Sequence, residues 1–382
     1  MEEALHAMYL HIPFCLRKCS YCDFYSIPPA SQELMQRYSH RLAELIRSWG
    51  AFLPDASLDT IYLGGGTPSL LSEAMMQEIL EAIYSAWHVE PDAEISMEAN
   101  PATLPLKKAQ SFYQAGIHRI SLGVQSFVPE ELRTLGRLHG VKEVLSTIEH
   151  LTQAGFSNWN LDLIYGVPGQ TLASWEYSLK QAMACAPKHL SMYLLQMDPC
   201  VALYQQIERG EKQEPDENSV VRMFYEGSEW LEQSGMVHYE ISNFALPGKM
   251  CRHNLHYWKS HPYIGLGAGA VSFFRGRRFR LSQNVQTFLE GDGMPEQGWG
   301  EVLEEILTPQ ERLSDAMVMG LRCMQGVSRQ ELKQRFGIDY AVHYAQAIHE
   351  CEQEGLLESQ AGFLRLTRKG WFLSNQVLWH FV

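Results

Sequence analysis

A chain of 382 residues, 46% hydrophobic and 20% charged, is long enough to bury a sizeable core in one large domain and a small one. Its formal net charge of −13 argues against a sequence-blind nucleic-acid binder, because neutralising phosphates takes concentrated Lys and Arg. With no run of eighteen apolar residues, no signal-peptide pattern and five of eight cysteines standing singly, the chain reads as cytoplasmic, with reduced thiols and at most peripheral membrane contact.

From residue 8 to about 272, β-rich runs alternate with helical ones. Strands are predicted at 8–12, 59–66, 93–100, 119–126, 158–166 and 188–196. Between them 32–50, 73–87, 106–116, 141–155 and 172–185 carry apolar residues at helical spacing, three of the five ending at glycine. The fold class is α/β. Such alternation implies a parallel sheet with right-handed crossovers, open or curled into a partial barrel. Polar residues gather at strand ends: Thr67, Glu98, Asn100, Gln125 and Asp162. In βα architectures that edge carries the active site. Residues 211–219 read as an acidic surface turn before a helix at 220–235, and GLGAGAVS (265–272) as a close-packed last strand rather than a nucleotide loop. A glycine-rich break at 283–302 separates a barrel domain, 1–285, from a C-terminal domain, 300–382. The latter runs helix, helix, hairpin, helix and resembles a winged helix. It lacks a dense basic face, which points to a packing or lid role instead of DNA binding.

Cys15, Cys19 and Cys22 form a C-x3-C-x2-C run in HIPFCLRKCSYCDF. Three thiolates can hold three irons of a [4Fe–4S] cube and leave the fourth iron open to a ligand. Structural zinc is the plain alternative, but zinc usually takes four ligands in paired knuckles and no second knuckle is near. Tyr21 and Phe24 would supply apolar walls, and Arg17 and Lys18 would favour the more negative cluster. With an aromatic before its last cysteine, this spacing resembles the radical S-adenosylmethionine (SAM) superfamily. There the methionyl amine and carboxylate of SAM chelate the open iron.

Gly64-Gly65-Gly66-Thr67-Pro68 follows a strand and precedes a helix, without the Lys of a P-loop. Alone it is a tight βα corner; in the superfamily a similar turn hydrogen-bonds the SAM amino group. Arg137 could pair with a carboxylate in bidentate fashion and Asp162 could accept a ribose hydroxyl, although strand-end carboxylates often cap helices and Arg137 could lie on a helix surface.

YLHIPFCLRKCSYCDF, LGGGTPSLL, EISMEANP, RISLGVQSF and NLDLIYGVPGQT together resemble the family of oxygen-independent coproporphyrinogen III dehydrogenase, and YEISNFALPG extends the likeness toward the C-terminal module. The resemblance implies a radical SAM partial (β/α)6 barrel and makes Tyr9, Gly65, Gly66, Thr67, Glu98, Gln125, Arg137 and Asp162 SAM-contacting positions. Two departures count against propionate decarboxylation. Phe24 stands where the dehydrogenase has a further cysteine, and only fourteen residues precede Cys15. The HNxxYW segment, His253-Asn254-Leu255-His256-Tyr257-Trp258, resembles the haem-chaperone (HemW) branch. That branch implies haem as cargo, a haem donor, haem-accepting proteins and an open question of homodimerisation. His253 is then the expected iron ligand, Asn254 its neighbour or a propionate partner, and Tyr257 and Trp258 an aromatic wall. Met250, Cys251 and His256 are alternative ligands, and a satisfied core histidine is the ordinary alternative for His253. A radical SAM enzyme acting on a tetrapyrrole is the other function, by decarboxylation or methyl transfer.

Overall fold

The computed structural model describes residues 4–28, 31–291 and 303–382. Strand and helix alternate as β1 (Ala7–Ile12), α1 (Gln32–Phe52), β2 (Ser57–Gly65), α2 (Glu73–Ala86), β3 (His88–Ala99), α3 (Leu106–Gln114), β4 (Arg119–Gln125), α4 (Pro129–Thr134), α5 (Val141–Ala154), β5 (Asn158–Tyr165), α6 (Leu172–Ala184) and β6 (His189–Leu194). There follow α7 (Ala202–Glu208), α8 (Glu217–Gln233), β7 (Val237–Glu240), β8 (Asn243–Ala245), α9 (Arg252–Trp258), β9 (Tyr263–Leu266), β10 (Val271–Phe274), β11 (Arg277–Arg280), α10 (Val285–Glu290) and β12 (Leu303–Ile306). All six predicted strands and all five predicted helices are present.

The strands form one sheet in the order β12-β11-β10-β9-β1-β2-β3-β4-β5-β6-β8-β7, with β9 and β1 to β6 parallel and the rest antiparallel. Among the described residues it does not close: β7 and β12 are its two ends. The strands alternate strictly. Leu10, Ile12, Ile61, Leu63, Met97, Ile120, Leu122, Leu161, Leu163 and Leu190 are fully buried in the main core, under the helices. The intervening residues are polar: Tyr9 and His11, Thr60 and Tyr62, Glu94, Ser96 and Glu98, Arg119 and Ser121, Asn160 and Asp162, His189 and Ser191. Side chains a strand apart face opposite ways, so these line the concave side.

GLGAGAVS is not one strand. β9 ends at Leu266, the chain turns through Gly267, and β10 returns antiparallel. Gly267 has φ +111°, and a Cβ there would meet the His11 carbonyl oxygen at 2.5 Å, so only glycine fits this turn. The acidic turn and the helix after it are as expected, the helix starting at Glu217 with Asp216 as its N-cap. Of the glycine-rich break, 283–291 is described and holds α10; residues 292–302 lie outside the described residues.

Helix α9 seals the end of the barrel away from the strand C-termini. Glu94 accepts hydrogen bonds from the Arg252 amide (3.2 Å), the His253 amide (3.3 Å) and the Cys251 thiol (3.4 Å), pinning the helix start to β3. Beyond β12 come α11 (Pro309–Gly320), β13 (Val327–Ser328), α12 (Arg329–Phe336), α13 (Tyr340–His343), α14 (Ala345–Gln353), β14 (Leu357–Gln360), β15 (Phe363–Leu366), α15 (Arg368–Phe372) and α16 (Ser374–Leu378). The hairpin β14–β15 pairs with β13 as a small three-stranded sheet, and Leu313, Met317, Leu332, Leu364 and Phe381 form a separate core. Between α11 and β13 the chain pairs with the outer edge of β7: the Ile241 amide donates to the Arg322 carbonyl and the Met324 amide to the Tyr239 carbonyl, both at 3.0 Å. Among the described residues no helix is long and apolar enough to cross a membrane.

Glu94→Ala should leave two amides at the start of α9 without partners and lower stability by about 2–4 kcal/mol. Urea unfolding measures the loss, and faster amide exchange at 252–258 locates it.

Candidate functional site

The cysteine loop leaves β1 at Ile12 and is fastened at both ends. The Cys15 amide donates to the Ile27 carbonyl (2.9 Å), the Ile27 amide to the Pro13 carbonyl (2.7 Å), and the Ser20 amide to the Leu135 carbonyl (3.2 Å). All three thiols are partly exposed, beside the C-terminal ends of the parallel strands. Burial pushes the Cys22 thiol up to about 11, and the neighbouring thiols of Cys19 and Cys15 add to the shift. Three thiolates this close need a cation among them, which suits iron. Among the described residues no three His, Cys, Asp or Glu side chains are arranged for a single metal ion.

Arg137 is the hub of the mouth. It donates to Cys19 Sγ (3.3 Å), to the Gly123 carbonyl (2.7 Å) and to Asn100 Oδ1. Arg137 is therefore a brace between the cysteine loop and two strand ends, and the surface-helix alternative for it falls. Asn100 in turn donates to Thr67 Oγ1 (2.8 Å), which lies 3.6 Å from Cys15 Sγ. One chain of polar contacts thus runs from Cys15 through Thr67, Asn100 and Arg137 to Cys19.

The glycine turn is shaped by the protein around it. Gly65 has φ +111°, and a Cβ there would strike the His11 ring at 2.5 Å; at Gly66 it would meet the Phe14 carbonyl oxygen at 2.6 Å. The amides of Gly65, Gly66 and Thr67 donate to Glu98 Oε2, the Ile12 carbonyl and the Phe14 carbonyl. The His11 ring and the cysteine loop occupy the space beside these glycines, and the three amides are bonded within the chain. Thr67 itself is buried.

Glu98 accepts from the Gly65 amide and the Tyr62 hydroxyl, both at 3.1 Å. Burial and the nearby Asp162 carboxylate hold its carboxyl up to about 7. Asp162, its own carboxyl raised by burial, accepts from Asn160 (2.7 Å) and Ser121 (3.0 Å). Gln125 sits at a register shift between β4 and β5 with φ +70°, a left-handed conformation uncommon outside glycine. Such a bulge re-aims a side chain at the end of a strand. Tyr9 donates to His11 Nδ1 (2.9 Å) while His11 Nε2 donates to the Tyr25 carbonyl (3.0 Å), so His11 is neutral and ties β1 to the far end of the cysteine loop. The structure thus gathers the three cysteines, Tyr9, the glycine turn, Glu98, Gln125, Arg137 and Asp162 at one mouth. Tyr21 packs into a small apolar cluster with Leu135, Ile164, Val167 and Leu203, whereas Phe24 is 66% exposed.

The HNLHYW segment lies at the other end, as helix α9 and not as a turn. His253 is fully buried, stacked on Tyr62, with Nδ1 bonded to Thr60 Oγ1 and Nε2 to the Tyr257 hydroxyl, both at 3.0 Å. Burial lowers its pKa to about 3. His253, the expected iron ligand, is thus a buried histidine bonded within the chain at both ring nitrogens. Tyr257 closes the same contact. Cys251 is buried against Glu94 and His256 is bonded to Asp59 (2.9 Å), so neither alternative is open. Asn254 is partly exposed, and Trp258 faces away from the barrel, under the Arg322 guanidinium at 4.8 Å. Sequence reasoning missed His11, Tyr62, Arg119 and Asn160. The period-two alternation of polar residues along the strands could have found them.

An open α/β barrel whose three loop thiols adjoin a polar mouth defines a radical SAM protein. Residues 9–182 match the Radical SAM superfamily and residues 307–373 the HemN C-terminal domain. Heme chaperone HemW of Bacillus subtilis is 32% identical over 99% of both chains, and that of Synechocystis 37% identical over 85% of this chain and 80% of its own. The solved coproporphyrinogen III oxidase (HemN) of Escherichia coli, a radical SAM enzyme, shares the fold at TM-score 0.86, with 22% identity over 100% of this chain and 90% of that one. The chain belongs to the HemW family within the radical SAM superfamily. A [4Fe–4S] cluster and SAM are the cofactors that this membership carries, and the three thiols fit the cluster.

Cys22→Ser should abolish the iron–sulfur absorption of reconstituted protein, whereas Cys185→Ser and Cys351→Ser should retain it; iron lost from either control would refute a three-cysteine site. Because the Glu98 carboxyl lies above its unfolded value of 4.5, folding takes up a proton between there and about 7, and this contribution to stability falls as pH rises through that window. Glu98→Gln should flatten that decline in urea midpoints measured from pH 5 to 7.

Proposed function

We propose that the protein is a haem chaperone: it binds haem and passes it to haem-requiring proteins in the cytoplasm, with the cluster and SAM governing the transfer. The reading is carried by the extent of the likeness, since proteins named heme chaperone HemW match along nearly the whole chain, C-terminal module included. In this reading residues 1–285 form the cofactor domain and 300–382 a second, smaller one. Haem comes from a donor, leaves to acceptor proteins, and the working unit is open to homodimerisation.

Cys15, Cys19 and Cys22 hold the cluster. There it would supply iron to bind the amine and carboxylate of SAM and a source of one electron. The remaining work belongs to the chain. Arg137 meets the SAM carboxylate while bracing Cys19. A SAM ammonium needs acceptors, so the carbonyl side of the Gly65-Gly66 turn serves it, the amides being engaged already. Glu98 and Asp162 accept ribose hydroxyls, Gln125 is aimed inward by its bulge, Tyr9 closes the wall below, and Thr67 holds the turn to Cys15. Phe24, exposed where the dehydrogenase carries a cysteine, weighs against porphyrinogen decarboxylation.

Anaerobically reconstituted protein should retain haem through gel filtration and yield it to an apo haem protein. Incubated with coproporphyrinogen, SAM and reductant, it should give no decarboxylated porphyrinogen; more than one turnover of that product would replace this reading with the enzymatic one. Arg137→Ala should weaken SAM binding by about 1–3 kcal/mol in calorimetry and also reduce retained iron.

A further inference from the structure

Two of the three loop thiols, Cys15 and Cys19, stand at the ends of one hydrogen-bonded chain, and Asn100 is its middle link. Arg137 donates to Asn100 Oδ1, which fixes how the amide lies, because the opposite orientation would set its NH2 against the guanidinium. Asn100 Nδ2 therefore donates to Thr67 Oγ1, at 2.8 Å. Having accepted that bond, the Thr67 hydroxyl has its own proton to place, and Thr67 is only 2% exposed, so water is not its acceptor. Cys15 Sγ lies 3.6 Å away. A thiolate on iron has no proton to give, so there the hydroxyl donates and the sulfur accepts. At the other end Arg137 donates to Cys19 Sγ at 3.3 Å. The link is firmly held, since Thr103 donates to the Asn100 carbonyl through both its amide (3.1 Å) and its hydroxyl (2.6 Å). Gly123 leaves it room: a Cβ there would come within 3.1 Å of Asn100 Oδ1.

Resting on the three-cysteine reading of the site, we propose that Asn100 is a positioning residue for the cluster. Through Thr67 and Arg137 it aims one hydrogen bond at Cys15 and one at Cys19, and so raises the cluster's reduction potential. An added electron puts negative charge on the thiolates, and a donor at sulfur favours that state over the oxidised one. Hydrogen bonds to the sulfurs are among the determinants of cluster potential. No proton moves in this: hydroxyl and guanidinium stay protonated in both states. Asn100→Asp keeps the shape and still accepts from Arg137, but it has no donor for Thr67. The Thr67 hydroxyl then turns toward the carboxylate and away from Cys15, and a negative charge is added beside it. Both changes disfavour the reduced cluster.

Full-length protein is reconstituted anaerobically, its iron and sulfide are measured, and the cluster is titrated against potential without SAM, followed by electron paramagnetic resonance. Thr67→Val and Asn100→Asp should keep the wild-type iron content and move the midpoint to more negative values. For Asn100→Asp the reduced-to-oxidised ratio at a fixed potential should fall about tenfold, which is about 59 mV for one electron. Thr67→Ser, which keeps the hydroxyl, should restore the wild-type midpoint. The double variant should shift by less than the sum of the two, since Thr67→Val leaves no hydroxyl to turn. In D2O, pulsed resonance of the reduced cluster should show coupled exchangeable deuterons in wild type, one fewer in Thr67→Val. A wild-type midpoint in Thr67→Val that retains its iron overturns the assignment, and so does a fully additive double variant, in which the added charge acts alone. Absence of the deuteron coupling in wild type overturns it whatever the variants retain. If wild type itself assembles no cluster, the three-cysteine reading falls and this role with it.

Discussion

Every parallel strand of this barrel carries an apolar face and a polar one, and burying the polar face obliges each group on it to find a partner. The helices cover one side with close-packed Leu, Ile and Met. The other side is a hydrogen-bonded lining in which Asn160 joins Ser121, Asp162 and His189, and His189 joins Tyr239. A lumen filled with aliphatic layers would be a packed core. A lumen lined with Glu98 and Asp162 toward the mouth and Arg119 toward α9 is polar along its length, at the cost of an interior that must be hydrogen-bonded extensively.

That wiring explains what could be read from the sequence. Strand and helix positions follow from periodicity, and the cysteine run and glycine turn stand out by residue type, so the fold and the mouth were legible. The partnerships were not. Gly65 looks like a ligand's clearance in the sequence and is His11's clearance in the fold, because that demand comes from a residue 54 positions away. Arg137 follows a short helix, and only the return of the chain beside Cys19 makes it a brace. His253 shows the same limit: a histidine in a distinctive motif invites a ligand role, and only the fold shows that the motif's helix lies across the barrel floor with His253 against Thr60, Tyr62 and Tyr257.

Helix α9 is therefore a partition with two different sides. One face completes the lumen beneath the SAM-side residues, and the other borders a cavity shared with the C-terminal module. The column Tyr9, Tyr62, His253 links the mouth to the partition by ring contacts, 6.4 Å between the first pair of centroids and 5.2 Å between the second.

The sheet's failure to close has a consequence of its own. An open sheet has two raw margins, and unpaired backbone on a margin is a template for pairing with a stranger's. Here β12 leads directly into the C-terminal module, and that module returns to cover β7 with residues 322–324. The same small unit thus grows from one margin and shields the other, like a clasp on a split ring. A chain caught during synthesis before residue 322 has emerged holds a nearly complete barrel with β7 bare. For that interval it is exposed to strand exchange with its neighbours, and the clasp is the last part of the barrel to arrive.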